Sequence, residues 1–441
     1  MAAARGSRES KGGFNRRLTI DRARNNRRTN LTLILMTTRP ESVGMCARRL
    51  ARIDRFLEER YIASGRLPFA QLQVARDGKL VHQTLLGTAS LATGAPLVED
   101  QIVRIYSMTK PITSVAFMML VEEGKVALDD PVHRWIPSWR DLGVYNAGVS
   151  GAFITRPTEA PMRIIDLLRH TSGLTYGFQM RSNVDAAYRA GKIDPFERTD
   201  SLEGFIEALG KMPLEFSPGS AWNYSVSTDV LGYLVGRISG VPFEDFLRER
   251  IFEPLGMVDT AFFVPPDKVQ RFADCYVTAP DGKLVQTAGP NFLAPPKAAS
   301  GGGGLVSTAA DYMRFCEALR GGGALGDARL IGPKTLALMR ANHLPDRRDL
   351  ADISISMFSE AMYQGVGFGL GFAMTTDPAR TGIAGSVGEY WWGGMASTAF
   401  WVDPVEDVCV VFLTQLVPSS TYPIRRELRT MINAAIIDSK A

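Results

Sequence analysis

Cysteine and histidine are scarce in this sequence of 441 residues, which contains only four of each. The cysteines are scattered, no Cys-x-x-Cys pair occurs, and none stands at metal-ligand spacing from a histidine. We therefore expect reduced, mostly buried thiols, no metal site and no cofactor. The four cysteines are Cys46, Cys275, Cys316 and Cys409.

Long apolar runs are also lacking. No stretch reaches the 18 or so consecutive apolar residues of a membrane-spanning helix, so we expect no membrane association. The apolar run Leu31 to Leu35 is shorter than the core of a signal peptide, and the basic region before it is too long. With no export signal recognised, the cytoplasm is the expected compartment.

A net positive charge is missing from most of the chain, although the formal net charge of the whole sequence is +4. Residues 1–35 hold nine Lys/Arg and two Asp/Glu, which gives +7 there and −3 for the rest. The composition therefore gives no reason to expect a nucleic-acid partner. We expect residues 1–36 to form a disordered basic extension, which a vector or upstream translation could explain; a basic tail that binds nucleic acid or membrane is the alternative.

Helical and strand patterns occur at both ends of the chain, with a mainly helical, loop-rich region between them. Asp77-Gly78 lies between two apolar runs and predicts a hairpin. This arrangement predicts an α/β domain built from residues 37–125 and 300–441, with a mainly helical insertion domain at 126–299. The predicted helices are 46–64, 107–123, 161–169, 201–210, 227–238, 243–251, 308–320 and 423–437, and the later strands are 367–374, 398–401 and 408–413.

The segment Ser107-Met108-Thr109-Lys110 has the Ser-x-x-Lys pattern and opens an apolar helix. Residues i and i+3 share one helix face, so the lysine amine can reach the serine hydroxyl. A serine hydroxyl needs such a neighbour because it is a poor nucleophile until its proton is removed. Alone the pattern is weak, and an ordinary helix start is the competing interpretation.

Two further segments carry chemically useful groups. Tyr224 follows a turn and precedes an apolar helix, so its hydroxyl can face a cleft, although a tyrosine packed at a domain edge fits the pattern as well. Trp392-Gly393-Gly394-Met395 places two glycines at a strand start, where a backbone can approach a ligand closely. A simple bulge or turn is the competing interpretation there.

Other catalytic patterns are absent. No Gly-x-Ser-x-Gly nucleophile elbow occurs, so an α/β-hydrolase fold lacks its central feature. The run Gly301 to Gly304 lacks the Gly-Lys-Ser/Thr ending of a phosphate loop, and we expect it to let the chain pass tightly beside the site.

The motifs taken in order resemble those of the family VIII carboxylesterases, the esterase branch of the class C β-lactamase and penicillin-binding-protein superfamily. The resemblance spans residues 46–437 and implies an α/β fold, with an antiparallel sheet flanked by helices in three layers and an inserted helical domain. The segments that carry it are Ser107 to Lys110, Leu128-Asp129-Asp130-Pro131, His170 to Leu174, Tyr224-Ser225, Gly303 to Thr308 and Trp392-Gly393-Gly394.

The resemblance also implies roles for individual residues. Ser107 would be the nucleophile, and Lys110 and Tyr224 would share general base and acid catalysis in an order that the sequence leaves open. The oxyanion hole would consist of the N–H groups of Ser107 and Met395. The substrate-binding residues would be Trp392, Gly393, Gly394 and Val226.

Two departures from the β-lactamase pattern point to the substrate. Trp392-Gly393-Gly394 stands in place of Lys-Thr-Gly, and Tyr224-Ser225-Val226 in place of Tyr-x-Asn. A cation and an amide are thus replaced by apolar groups, which favours neutral acyl esters over anionic lactams.

The expected function is therefore a carboxylesterase for short- to medium-chain esters, with a small-molecule ester as its partner. The sequence does not indicate the oligomeric state. The alternatives are a β-lactamase or D-amino-acid peptidase of the same superfamily, and a penicillin-binding or scaffolding protein without turnover.

Overall fold

The computed structural model describes residues 37–194, 196, 200–287, 289–356 and 363–441, so the extension predicted for 1–36 lies outside the described residues. An antiparallel sheet of eight strands forms its centre, in the spatial order β4-β5-β6-β7-β8-β1-β2-β3. The strands are β1 (Phe69–Arg76), β2 (Lys79–Ser90), β3 (Ala95–Pro96), β4 (Val366–Phe368), β5 (Ala373–Thr375), β6 (Tyr390–Gly393), β7 (Ala399–Asp403) and β8 (Val408–Leu413).

The two ends of the chain meet in the middle of this sheet. β1 pairs with β8 in an antiparallel register that sets Leu72 opposite Phe412 and Val74 opposite Val410. The predicted hairpin at Asp77-Gly78 is confirmed as the β1–β2 connection, with an irregularity in the register at Val74/Ala75. This pairing confirms the predicted α/β class, in which one sheet is built from both termini.

The helices lie on both faces of the sheet. Most predicted helices are present with shifted ends; the one predicted at 46–64, for example, is α1 followed by a π-helical turn, Glu58–Ile62. The α-helices of the described residues are α1 (Ala47–Leu57), α2 (Thr109–Glu122), α3 (Ile164–Leu168), α4 (Asn183–Ala190), α5 (Leu202–Leu209), α6 (Ser227–Ser239), α7 (Phe243–Leu247), α8 (Glu253–Leu255), α9 (Ala309–Arg320), α10 (Pro333–Met339), α11 (Leu350–Ile353), α12 (Pro378–Thr381) and α13 (Ile424–Asn433).

Alternation along the strands divides the interior into two hydrophobic clusters. Val410 and Phe412 of β8 face the helices α1 and α13, whereas Cys409, Val411 and Leu413 face the cluster that contains α2 and α9. Successive side chains of a strand point to opposite faces, so a central strand covered on both sides is apolar throughout. The result is the three-layer α/β/α arrangement.

Short strand pairs fasten the loops that surround the sheet. The one that matters most for the site joins Val103–Arg104 to Val306–Ser307. The others join Val144–Val149 to Ala152–Arg156, Tyr276–Thr278 to Leu284–Gln286 and Leu416–Val417, and Ala324–Leu325 to Ala328–Arg329.

One predicted strand is wrong. Residues 367–374 form parts of two strands, β4 and β5, that pair with each other as a hairpin. Gly371 in the turn has a φ of +101°, in the left-handed region that favours glycine. A Cβ on Gly369 would lie 2.1 Å from the carbonyl oxygen of Met339, so the turn also needs glycine for close approach.

The larger hydrophobic cluster includes residues from both the predicted α/β domain and the predicted insertion. The division of the chain into domains at 126 and 299 therefore stays a prediction.

Among the residues that the structure describes, none of the helices combines the length and the apolar character needed to traverse a bilayer.

Candidate active site

Ser107 lies in a single 3₁₀ turn, Tyr106–Met108, that leads directly into α2. The turn is held from two sides, because Ile105 N donates to Leu305 O at 3.2 Å and Tyr312 Oη donates to Met108 O at 2.8 Å. Tyr106 has a φ of +42°, a strained conformation for a bulky residue. Such strain is often found at functional sites, and here it stands immediately before the candidate nucleophile.

Lys110 and Tyr224 both contact the Ser107 hydroxyl. Tyr224 Oη donates to Ser107 Oγ at 2.6 Å, and Lys110 Nζ lies 3.3 Å from the same oxygen. The lysine ammonium group also lies 4.5 Å from the centre of the Tyr224 ring. The structure therefore brings together the three residues that the sequence places in one site.

Lys110 is almost completely buried, and this changes its acidity. Its amine donates to Gly302 O at 2.6 Å and to Tyr176 Oη at 3.0 Å. Burial lowers the pKa of Lys110 to about 7, although the charges of Asp229 and Asp194 act in the opposite direction. A large fraction of Lys110 is therefore neutral near pH 7, with a lone pair that can accept a proton.

Tyr224 stays a neutral phenol over the same pH range. Burial raises its pKa, while the hydrogen bonds between its hydroxyl and the side chains of Ser107 and Trp392 lower it to a smaller extent. Its ring packs on His170, with centroids 5.1 Å apart, and on Trp392, with centroids 5.5 Å apart. The His170 ring thus packs against the Tyr224 ring and helps to fix its position. Burial holds the pKa of the His170 imidazole well below its usual value.

The run Gly301 to Gly304 passes against α2, as the sequence predicts. Thr113 Oγ1 donates to Gly301 O at 2.8 Å, next to the contact between Lys110 and Gly302. A Cβ on Gly301 would lie 2.6 Å from Thr228 O, and one on Gly302 would lie 2.5 Å from Asp229 Oδ2. The absence of side chains here lets the backbone reach the lysine.

The third motif reaches the nucleophile turn from the opposite side. A Cβ on Gly394 would lie 2.3 Å from Ile105 O, so only glycine allows this approach. The following residue, Met395, is 39% exposed and lies on the pocket wall beside Ser107. Arg425 Nη2 donates to Gly394 O at 2.7 Å and to Thr398 O at 2.9 Å, which fastens both ends of this turn.

A cavity of about 420 Å³ opens over these groups. Its wall is largely apolar, as is usual for small-molecule sites, and Phe178 at the wall is half exposed. The predicted residues on its wall are Ser107, Tyr224, Trp392, Gly393, Gly394 and Met395.

Val226 is the one predicted substrate-binding residue that the structure does not place on this wall. Its side chain is fully buried in the larger hydrophobic cluster, and its N–H donates to Thr175 O. The residue precedes α6, and the chain there turns its side chain inward. The apolar character of Val226 therefore serves packing in this structure.

Several groups at the site carry no signal in the sequence. Asp229 lies in the first turn of α6, where acidic side chains are common because they interact favourably with the helix dipole. Its place in the sequence therefore does not mark it as part of a site. Tyr176 precedes a short 3₁₀ turn, Gly177–Gln179, from which Gln179 Nε2 donates to Tyr224 O at 3.0 Å. Arg425 comes from α13, far along the chain. Only the tertiary fold brings these side chains to Ser107.

Comparison with known proteins agrees with this fold. A profile of the Beta-lactamase family matches residues 53–432. Esterase EstB of Burkholderia gladioli is 33% identical over 392 residues, which cover 85% of this chain and 91% of EstB.

Two solved structures have the same architecture. EstCE1, described as a hydrolase with promiscuous acyltransferase activity, superposes with a TM-score of 0.72 at 25% identity, over 89% of this chain and 99% of its own. Simvastatin synthase LovD of Aspergillus terreus superposes with a TM-score of 0.74 at 26% identity, over 87% of this chain and 96% of its own. The chain therefore belongs to the Beta-lactamase family of serine hydrolases, and within it to the branch of the family VIII esterases.

Proposed function

We propose that this chain hydrolyses short- to medium-chain carboxylic esters through an acyl-enzyme on Ser107. The observation that carries the proposal is the Ser107 hydroxyl between Tyr224 Oη at 2.6 Å and Lys110 Nζ at 3.3 Å, in a largely apolar cavity. The name of EstB supports the same reaction class.

In the acylation step, Ser107 Oγ attacks the ester carbonyl carbon while the neutral amine of Lys110 takes the hydroxyl proton. The C–O bond to the alcohol then breaks. Tyr224, which holds its proton at neutral pH, gives that proton to the departing alkoxide oxygen, and Lys110 returns a proton to the tyrosine. A water molecule then attacks the carbonyl carbon of the acyl-enzyme, while Lys110 and Tyr224 transfer protons in the reverse direction. The bond to Ser107 Oγ breaks, and the carboxylic acid is released.

The negative charge of the tetrahedral intermediate needs hydrogen-bond donors. We propose the N–H groups of Ser107 and Met395 for this purpose, since both residues line the cavity. The contacts of Arg425 with Gly394 O and Thr398 O would keep the Met395 amide in place. Loss of one such donor typically costs about 3–4 kcal/mol in the activation barrier.

The pocket wall favours neutral acyl groups. Trp392 occupies the position where β-lactamases have a lysine, and its ring packs on Tyr224. Arg425 does line the cavity, but its Nη2 atom is engaged with two main-chain carbonyls of the third motif. A substrate carboxylate would therefore compete with those contacts, which favours ester over lactam.

Side-by-side kinetics test this choice. We expect fast release of p-nitrophenol from p-nitrophenyl butyrate and slow or absent opening of a chromogenic cephalosporin by the same preparation. Faster lactam than ester turnover would mean that Trp392 does not discriminate against an anionic substrate and that the chain is a β-lactamase.

The pH dependence of ester turnover follows from the acidity of Lys110. Since the amine must be neutral to accept a proton, kcat/KM should rise with pH up to about 7 and then level off, with Lys110 at a pKa of about 7. Below that value the rate should fall about tenfold per pH unit as the amine is protonated. Initial rates between pH 5 and 9, at saturating and limiting ester, measure the profile. A rate that decreases as the pH rises through 7 would contradict the role of Lys110 as a base.

Gly302→Ala probes the backbone beside Lys110. The added Cβ would lie 2.5 Å from Asp229 Oδ2 and 2.7 Å from Tyr176 Oη, so one of these groups must move. We expect kcat for the ester to fall about 100-fold, because small displacements at a reacting centre have effects of that size.

Gly303→Ala is the matched control, because the nearest atoms to its Cβ would be the end of the Phe196 ring, at 3.3 Å, and the Tyr106 carbonyl carbon, at an ordinary contact distance of 3.7 Å. It should cost much less activity than Gly302→Ala. Equal effects of the two variants would contradict the importance of the contact between Gly302 and Lys110.

Acyl transfer to an alcohol is a second candidate function. It is favoured by the exposed apolar side chains of Phe178 and Met395 at the cavity, which could hold an apolar acceptor, and by the descriptions of EstCE1 and LovD. Mass analysis of products formed with added butanol distinguishes it: a butyl ester as the main product identifies a transferase, and butyrate alone a hydrolase.

A further inference from the structure

Two groups bridge Lys110 to the buried carboxylate of Asp229. Gly302 is the first, because its carbonyl accepts from Lys110 Nζ at 2.6 Å and its N–H donates to Asp229 Oδ1 at 2.9 Å. Tyr176 is the second, because its hydroxyl accepts from Lys110 at 3.0 Å and donates to Asp229 Oδ2 at 3.3 Å. The two groups that accept hydrogen bonds from the lysine amine therefore both donate hydrogen bonds to the same carboxylate.

The carboxylate of Asp229 accepts three hydrogen bonds. Besides Gly302 and Tyr176, Ser300 Oγ donates to Asp229 Oδ1 at 2.5 Å. Three donors favour the ionised form, although burial raises the pKa of Asp229. Asp229 belongs to the first turn of α6, yet its oxygens accept from the glycine-rich segment and from Tyr176. The burial of a charge in this position points to a function, because a hydrogen-bonded neutral side chain would be less costly to bury.

We infer that Asp229 is a positioning residue of the proposed reaction, which fixes the Gly302 carbonyl and the Tyr176 hydroxyl so that they hold the Lys110 amine against Ser107. The inference rests on the proposed function. Asp229 lines the cavity, but among the described residues its side chain accepts from Ser300, Gly302 and Tyr176 and not from Ser107, so it acts through Lys110. It also keeps a negative charge near that amine.

The sign of the expected pH effect follows from the groups around Lys110. These are Asp229 on α6, Asp194 and Tyr176 on the loops above it, Tyr224 before α6, and His170, whose imidazole stays neutral. Asp229 raises the pKa of Lys110, against the larger effect of burial. Removing its charge should therefore lower that pKa further.

Asp229→Asn removes the charge and keeps the shape. The acid limb of the kcat/KM profile for p-nitrophenyl butyrate is the part in which the rate rises as Lys110 loses its proton. We expect this limb to shift to lower pH by about 1 unit, the lower end of the usual effect of a neighbouring charge. The plateau kcat should fall about tenfold because the lysine is held less firmly. A merely structural role would lower the folded fraction and leave the acid limb where it is, so an unmoved limb overturns the inference.

Asp311→Asn is the matched control. Asp311 is another buried carboxylate, which accepts from Asp259 N and Thr260 Oγ1 near the start of α9, away from the cavity. This variant should keep the wild-type acid limb. A shift of the limb in both variants would mean that any buried charge produces it, and would also overturn the inference.

Tyr176→Phe decides the question if Asp229→Asn does not fold. It removes one of the two bridges and leaves the charge of Asp229 in place, and phenylalanine keeps the ring that lines the cavity, so kcat should fall about tenfold with KM unchanged. A wild-type kcat in this variant would count against the inference.

Failure of the proposed function is recognised separately. Inactivation by diethyl p-nitrophenyl phosphate, followed by intact mass, reports the reactivity of Ser107 without ester turnover. A wild-type protein that is neither labelled nor active on the ester refutes the proposed function. If the wild type is labelled and active but the acid limb of Asp229→Asn stays at the wild-type pH, only the role of Asp229 is refuted.

Discussion

Ser107→Ala should lower kcat/KM for p-nitrophenyl butyrate by about 10⁴- to 10⁶-fold, the range seen when the nucleophile of a serine hydrolase is removed. Tyr224 and Lys110 would keep their places but have no oxygen to activate. The loss of one hydroxyl at the cavity wall should leave the fold intact. Initial rates and a thermal melt of both proteins measure the two effects.

Ser114→Ala is the matched control for this variant. Ser114 lies on α2, the helix that follows the Ser107 turn, and it is buried but does not line the cavity. It should keep an activity near that of the wild type. If Ser107→Ala retained full activity, the assignment of the nucleophile and of the family's mechanism to this chain would be wrong.

Lys110→Met should lower kcat/KM by about 10³-fold, within the usual contribution of a general base. Methionine has a similar length and no amine, so nothing remains to take the Ser107 proton. The melting temperature should change little, because an apolar side chain replaces a buried amine whose charged form is unfavourable there. Steady-state kinetics and differential scanning calorimetry give both quantities.

Lys125→Met serves as its control, because Lys125 is exposed and forms an ion pair with Glu123 at the surface, at 2.8 Å. It should behave as the wild type in both measurements. A Lys110→Met enzyme with more than a tenth of the wild-type rate would show that Tyr224 alone removes the proton, and would reverse the roles proposed for the two residues.

The part of the site that is local in the chain could be predicted from the sequence. Ser107 and Lys110 are three residues apart at a helix start, and helix geometry alone places their side chains together. The hairpin at Asp77-Gly78 and the apolar helix α2 follow from equally local patterns. Tyr224 needed the resemblance to known enzymes, because its distance to Ser107 along the chain is 117 residues.

The contacts that the sequence does not reveal are those made between distant segments. Asp229 comes close to Lys110 because α6 packs on α2, and the Tyr176 hydroxyl contacts Lys110 from a separate segment. Neither residue stands in a distinctive sequence pattern. The strand predicted at 367–374 failed because glycines there form a turn, which an apolar pattern does not show. Val226 occupies the expected position in the chain, but the backbone there directs its side chain into the core.

Three predictions concern features that the geometry does not address. The cytoplasmic location, the small-molecule ester as partner and the extension at 1–36 all stay predictions. The roles proposed for Ser107, Lys110, Tyr224 and the Met395 amide are open to direct chemical tests.

The most direct test of the central claim is intact-mass analysis of the protein mixed with p-nitrophenyl butyrate near pH 7 and quenched with acid after milliseconds to seconds, because acid protonates Lys110 and stops release of the acyl group. The account predicts a mass increase of one butyryl group, located by peptide mapping on Ser107 and absent from Ser107→Ala. Ester turnover with no such adduct, or an adduct on another residue, would contradict it.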